Sequence, residues 1–321
     1  RTAYTLATLR RLERHQGHFY NWYDTLSLKP LHPLYISSVD SGNLAGHLLV
    51  LRPGLQDLAD APLLPPQWFA GLQDTLQLVQ VHAKGVASGV QAFAKKLERV
   101  DTAPTSLAQL AATLSELHAA AQELLPTLKD PLALSWGQAV QRQIDAARDE
   151  IAHFAPWAFA HPAVAGGDAR AASHIPNWPD LGRLPTLREL ANQKGIPRAS
   201  AASLSQASTG TEYEYPSEDN AYAETIQRAQ ERLAEIETLV QEIDAFALMD
   251  YGFLYDEKRH LLAIGYNVDD MRRDTSHYDL LASEARLANF VAIAQGQLPQ
   301  ESWFALGRQL TTTGGDPILL S

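Results

Sequence analysis

The chain has 321 residues, 45% hydrophobic and 20% charged, enough to bury a large core in one big domain or two smaller ones. Its formal net charge of −11, without a dense basic run, argues against nucleic acid and anionic membrane surfaces as partners. The absence of cysteine excludes disulfides and thiolate metal sites and fits a reducing compartment.

No apolar run approaches the roughly 20 residues that cross a bilayer. RTAYTLATLRRLERHQ reads as an amphipathic helix with basic residues inside it, not as a signal peptide. A start at Arg1 and a stop at PILLS suggest cuts in a longer protein. Over residues 2–23, Tyr4, Leu6, Leu9, Leu12, Phe19 and Trp22 predict a helix running into the aromatic, amide-rich GHFYNWYD. TLSLKPLHPLYISSVDSG, with two prolines, predicts a long connection. Asp40 or Ser41 then stands as N-cap of the helix NLAGHLLVLRPGL.

Residues 65–99 predict one or two helices, and 105–155 predict strong helix broken at Pro126 and Pro131. From 161 to 218 the pattern weakens into loops around a short helix, TLRELANQ. A long helix is predicted over 220–249, with Ile226, Leu233, Ile236, Val240 and Ile243 in register. FLY and LLAIGY around DEKR predict a β-hairpin. Next come a helix over 277–295 and another in PQESWFALGRQL. The expected class is all-α with one hairpin, arranged as a barrel or toroid of helical hairpins joined by long aromatic loops.

One residue disturbs the helix at 277–295. Leu280, Leu287 and Val291 fall on one face, and Glu284 falls among them. Burying an unpaired carboxylate is costly. A structural ion pair is one explanation, although Arg286, two residues on, points to a different face. The other is chemical: apolar surroundings raise a carboxyl pKa, as a general acid near neutral pH requires, and glycoside chemistry sets such a group opposite a second carboxylate. Asp279, three residues after Ser276, reads equally as half of a capping box.

Sugars present apolar ring faces and hydroxyl edges. Trp22, Tyr23, Tyr266 and Tyr278 suit the first; Asn21, Asp24, Asp40, Asn43, Asn267 and Asp279 suit the second. Core packing is the commoner role of any one aromatic, but aromatics on loops have less core to fill. The histidines show neither HxxxH nor HExxH, and HQGH lacks an acidic ligand at helical spacing, so no metal is expected. GGDAR and TTTGGDP lack the Lys-Ser/Thr end of a phosphate loop, and there is no GxSxG elbow.

Three segments together strongly resemble the cyclic β-1,2-glucan synthases: GHFYNWYDTLSLKPLHPLYISSVDSGNLAGHLL, DYGFLYDEKRHLLAIGYNVDD and SHYDLLASEARLANFVAIAQGQLPQESWFALGR. The resemblance covers roughly residues 1–55 and 218–321. It implies the part between that family's membrane glycosyltransferase and its phosphorylase-like domain. That part is a glucoamylase-like (α/α)6 domain, here incomplete over 1–321 and carrying a helical and loop insertion at about 100–215. On the resemblance, Glu284 in LLASEARLANF matches the family's general acid/base, and Arg286 joins the substrate-binding set. The family's nucleophile lies in a later motif similar to WGISESAYN, which this sequence lacks. The implied reaction is a retaining transglycosylation that closes linear β-1,2-glucan into a ring and needs no cofactor or metal. The implied partners are β-1,2-glucan and the other domains of the same polypeptide, at the cytoplasmic face of a bacterial inner membrane. A β-glucan hydrolase on the same fold and a non-catalytic glucan-binding domain stand as alternatives.

Overall fold

The computed structural model describes residues 2–83, 88–160, 183–192, 218–307 and 310–319. These residues are mainly α-helical, with short antiparallel strands. None of the described helices is long and apolar enough to cross a membrane. Two compact units divide the chain: Arg1–Gln56 with Glu235–Ser321, and Asp57–Ala234. The stretch read as an insertion, about 100–215, lies inside the second. Residues 161–182 and 193–217, predicted from the sequence as loops and including GGDAR, lie outside the described residues.

The first unit opens with α1 (Thr2–Leu9). The helix predicted to run to residue 23 ends there, because HQGH forms the turn between β1 (Arg14–His15) and β2 (His18–Phe19). Gln16 and Gly17 both have positive φ, 50° and 88°, as a tight hairpin turn of this hand requires. A β-carbon on Gly17 would stand 2.8 Å from the Leu248 carbonyl oxygen, so glycine is needed for fit as well as for φ. β3 (Tyr35–Ser37) leads directly into α2 (Ser38–Asp57). The cap is Ser37, whose hydroxyl accepts from the Asp40 N–H at 3.2 Å; Asp40 and Ser41 lie inside the first turn instead of capping it.

The second unit follows the predicted pattern. It holds α3 (Gln67–His82), α4 (Ser88–Leu97), α5 (Leu107–Leu124), α6 (Pro131–Phe154), α7 (Trp157–Ala160) and α8 (Leu187–Ala191). The buried residues of α6 are Ala133, Gly137, Val140, Ile144, Ala147, Ile151 and Phe154, alternating four and three apart. That spacing makes a single apolar stripe, which packs against α3 and α5. Pro126 and Pro131 mark the break between α5 and α6, where Asp130 caps the new helix by accepting from the Leu132 and Ala133 N–H groups. α8 has a complete capping box from Thr186 and Glu189. α9 (Glu218–Ala247) follows, and the division between the units falls within it.

Back in the first unit, β4 (Tyr255–Asp256) pairs with β5 (Leu261–Leu262) around DEKR as predicted. The second half of LLAIGY goes elsewhere. β6 (Gly265–Asn267) is the middle strand of a sheet between β3 and β7 (Arg272–Arg273). α10 (Ser283–Ala294) begins six residues later than predicted, after Ala282, with no side-chain cap. The backbone of 274–277 is already committed: Asp274 N–H binds the Gly265 carbonyl, Ser276 C=O accepts from Ile264 N–H, and His277 bridges to Ala263. These pairings displace Ser276 from the capping role. α11 (Glu301–Ala305) is the last helix described, and β8 (Leu310–Thr313) and β9 (Asp316–Leu319) form a further hairpin turning at TTTGGDP. The single hairpin expected is thus one of several small sheets.

Within the first unit α2 and α10 cross at very short range. A β-carbon on Gly42 would lie 2.3 Å from the Ala288 Cβ, and Gly46 faces Leu287 and Val291. Gly42 and Ala288 both lie in the second turn of their helices, so the crossing falls near the start of each. Around it lies a core of Tyr20, Ile36, Ala45, Met249, Tyr251, Leu254, Leu262, Val291, Ala292 and Leu298.

Candidate functional site

The shared beginning of α2 and α10 gathers part of the predicted set. β3 alternates, so fully buried Ile36 points into the core and Tyr35 points away from it. Tyr35 is half-buried and its ring lies nearly parallel to Trp22, 6.3 Å between centroids and 27° between planes. Its hydroxyl donates to Asp274 Oδ2 at 2.5 Å. Burial, then the Asp274 hydrogen bond and charge, raise the Tyr35 pKa well above its ordinary value; Tyr278 and Asp40 add to the shift. The phenol is therefore protonated at neutral pH and holds Asp274 as acceptor. Trp22, Asp40 and Tyr278 are so brought together around two residues the sequence reading did not single out, Tyr35 and Asp274.

Glu284 sits in the first turn of α10, and its environment differs from the expectation. Its side chain is exposed, and Leu280 is 41% exposed, so no apolar stripe encloses the carboxyl. The late helix start is the cause, since Leu280 lies outside α10. Its own backbone N–H, then the Ser283 hydroxyl at 3.0 Å, hold the carboxyl below the usual range, with Arg286 adding attraction. The raised pKa predicted from burial is not present in this chain, and Glu284 is ionised at neutral pH. Exposed Arg286, two residues on in the same turn, adds its charge to this environment.

The other predicted residues have structural partners. Tyr23 donates to the Glu13 carbonyl at 2.6 Å and accepts from the Tyr20 N–H, so its hydroxyl is occupied. Asp24 closes the turn at 24–28 through the Leu26 and Ser27 N–H groups, and the Ser27 bonds lower its pKa. Asn21 accepts from the Ser37 N–H and ties the aromatic loop to β3. Tyr266 packs into the core against Phe253 and stacks on His15. Asn267 holds the β6–β7 turn by exchanging bonds with Asp270. Asp279 accepts from the Leu281 N–H just ahead of α10, a local turn in place of the predicted capping box. Asn43 is half-buried on α2, where its carbonyl accepts from His47 Nδ1.

Beneath this rim lies a buried polar pair that spacing alone did not reveal. His18 is fully buried, its Nε2 is 2.7 Å from the Asp250 carbonyl and its Nδ1 is 2.8 Å from Ser41 Oγ. A carbonyl only accepts, so Nε2 carries the hydrogen and Nδ1 accepts from Ser41. Burial pushes the His18 pKa down to about 4. The only foretaste in the sequence is HQGH itself. Among the described residues no group of three His, Cys, Asp or Glu could hold a metal ion. A cleft of about 640 Å³ lies elsewhere, between α4 and α5, lined by Lys95, Lys96, Arg99, Glu116 and Glu123 among others, and contains none of the candidate residues.

No protein-family model matches the chain. The chain is 30% identical, over 322 aligned positions, to the cyclic beta-(1,2)-glucan synthase NdvB of Rhizobium meliloti (strain 1021). The match takes in 99% of this chain and 10% of the relative, so the chain spans about a tenth of that protein's length.

Proposed function

We propose, for a chain that belongs to the cyclic β-1,2-glucan synthase family, that it handles linear β-1,2-glucan for ring closure. The observation that carries this reading is a relative aligned along almost the whole chain, both compact units included. Glu284 is the proposed general acid/base of a retaining transglycosylation. As acid it protonates the leaving glycosidic oxygen while a second carboxylate, from polypeptide beyond residue 321, forms the glycosyl-enzyme. As base it then takes the proton of the glucan's own attacking hydroxyl. Retaining chemistry sets the two carboxyls about 5–5.5 Å apart. The proposed fold is an incomplete (α/α)6 barrel over 1–321 with an insertion at about 100–215.

The low pKa of Glu284 bears on the first step. An exposed carboxylate is a poor proton donor at neutral pH. Covering the α10 start with further polypeptide would desolvate Glu284 and raise its pKa toward the range an acid needs. The proposed partners are therefore β-1,2-glucan and other domains of the same polypeptide, at the cytoplasmic face of the inner membrane. If water reaches the glycosyl-enzyme ahead of the sugar hydroxyl, the same site is a β-glucan hydrolase. If Glu284 is never covered, the chain is a glucan-binding domain.

The test uses a polypeptide extended past residue 321, incubated with linear β-1,2-glucan and analysed by mass spectrometry. Products lighter by one water, with Glu284→Gln slower by at least about 10²-fold, are expected. Shortened linear glucan would assign hydrolysis, and equal activity in Glu284→Gln would remove the acid/base role.

A further inference from the structure

We infer that Trp22, Tyr35 and Asp274 form a glucan-binding subsite, with the Trp22 ring as platform for one glucose ring face and Asp274 Oδ1 as acceptor for a hydroxyl elsewhere on the same glucan chain. The inference rests on the glucan reading above and adds two residues to it. Trp22 is 51% exposed, an unusual cost for the largest apolar ring, and it is backed by the nearly parallel Tyr35. Tyr35 is itself fixed from behind: a β-carbon on Gly265 would lie 2.3 Å from the Tyr35 hydroxyl oxygen. Only a residue without a side chain lets the phenol reach Asp274.

Asp274 is held at two points, by its N–H to the Gly265 carbonyl at 3.0 Å and by Oδ2 to Tyr35. Among the described residues no donor reaches Oδ1, and that oxygen is not a buried orphan. The result is a half-buried carboxylate with one oxygen free of protein donors and its rotamer already set, joined through Tyr35 to an exposed aromatic plane. Because the side chains are ordered before binding, little further entropy is lost when a ligand docks. Two carboxylates, Asp274 and Asp40, act on the Tyr35 hydroxyl, so a neutral polyhydroxyl ligand is favoured over an anion. A glucan chain offers the matching pair of surfaces, apolar ring faces and hydroxyl edges.

The test is calorimetric titration of the 321-residue chain with linear β-1,2-gluco-oligosaccharide, with Trp22→Ala, Tyr35→Phe and Asp274→Asn beside the parent. Trp22→Ala and Asp274→Asn are expected to weaken binding about tenfold, with Tm within about 2 °C of the parent. Tyr35→Phe, which frees Asp274 but keeps the ring, is expected to weaken binding less than Asp274→Asn. Parent-like affinity in Trp22→Ala and Asp274→Asn overturns the subsite while leaving the glucan reading standing. A lowered Tm with unchanged affinity overturns it too, by making the triad a structural anchor. No binding by the parent overturns the subsite, and the ring-closure assay on the extended polypeptide then decides the glucan reading by itself. If Asp274→Asn does not fold, Trp22→Ala decides, because an exposed ring is removable without opening the core.

Discussion

The unit at 57–234 and the unit built from the two ends of the chain put polar groups to different use. In the first, the core is Leu, Ile, Val, Phe and Ala at helical spacing, and the charges lie outside it. Arg188–Asp60 and Arg183–Glu189 are exposed pairs of this kind. In the second, His18, Ser37, Ser38, Ser41, Asn289 and Ser302 are buried, each at a defined place among aromatic rings or helix starts. The buried polar side chains among the described residues of the helical unit are threonines, Thr75, Thr186 and Thr225, each bonded to backbone. In the mixed unit hydrogen bonds fix which way side chains face, a property that a binding surface needs and a bundle core does not.

The comparison is broken most forcefully in the helical unit's core. Leu114 is fully buried between α5 and its neighbours, and Leu114→Ala should cost about 2–5 kcal/mol. Hydrogen exchange should show the loss in the amides of α5 and α6, with those of β3 and β6 protected as before. Equal loss in both units would mean that they melt as one.

An intermediate effect is expected from pH in the mixed unit. His18 has a folded pKa of about 4 against an ordinary 6.5, so the unfolded chain takes up the proton first. Stability from the neutral imidazole is full above pH 6.5 and declines as pH falls toward 4, by about 3 kcal/mol in total. Carboxylates held low, such as Asp24 and Asp269, lose their contribution only at still lower pH. Urea melts at pH 7 and pH 4.5 would measure the decline, and His18→Gln should remove most of it. An unchanged slope in His18→Gln would assign the pH dependence to other groups.

The smallest effect sharpens the contrast. Arg188→Ala breaks a bidentate pair with Asp60 at 2.7 and 3.1 Å, yet both side chains are more than half exposed. The loss should stay below about 1 kcal/mol and shrink in high salt. A double-mutant cycle with Asp60→Asn gives the pair energy directly.

Legibility followed the same division. α3 to α6 were readable because alternating three- and four-residue apolar spacings are local, and Pro126 and Pro131 announce their own breaks. The hairpin around DEKR was readable for similar reasons. The start of α10 was misplaced because Ser276 and Asp279 match a local capping pattern while 274–277 are claimed by residues 263–265. Trp22, Asp40 and Tyr278 stand out by residue type as sugar-binding candidates, yet Tyr35 and Asp274, to which the structure brings them near, stand 239 positions apart and share no pattern.

The sequence by itself determined the mainly α class, the helical course of 65–155, the family resemblance and the residue types suited to sugars. Each of these depends on short-range periodicity or on motif order. Tertiary structure decided that Glu284 is exposed and ionised, that His18 is neutral with its proton on Nε2, and that the exposed Trp22 stacks on a tyrosine whose hydroxyl holds Asp274. Those outcomes depend on which distant backbone satisfies which N–H and C=O, and on how closely Gly42 and Gly265 let their neighbours approach.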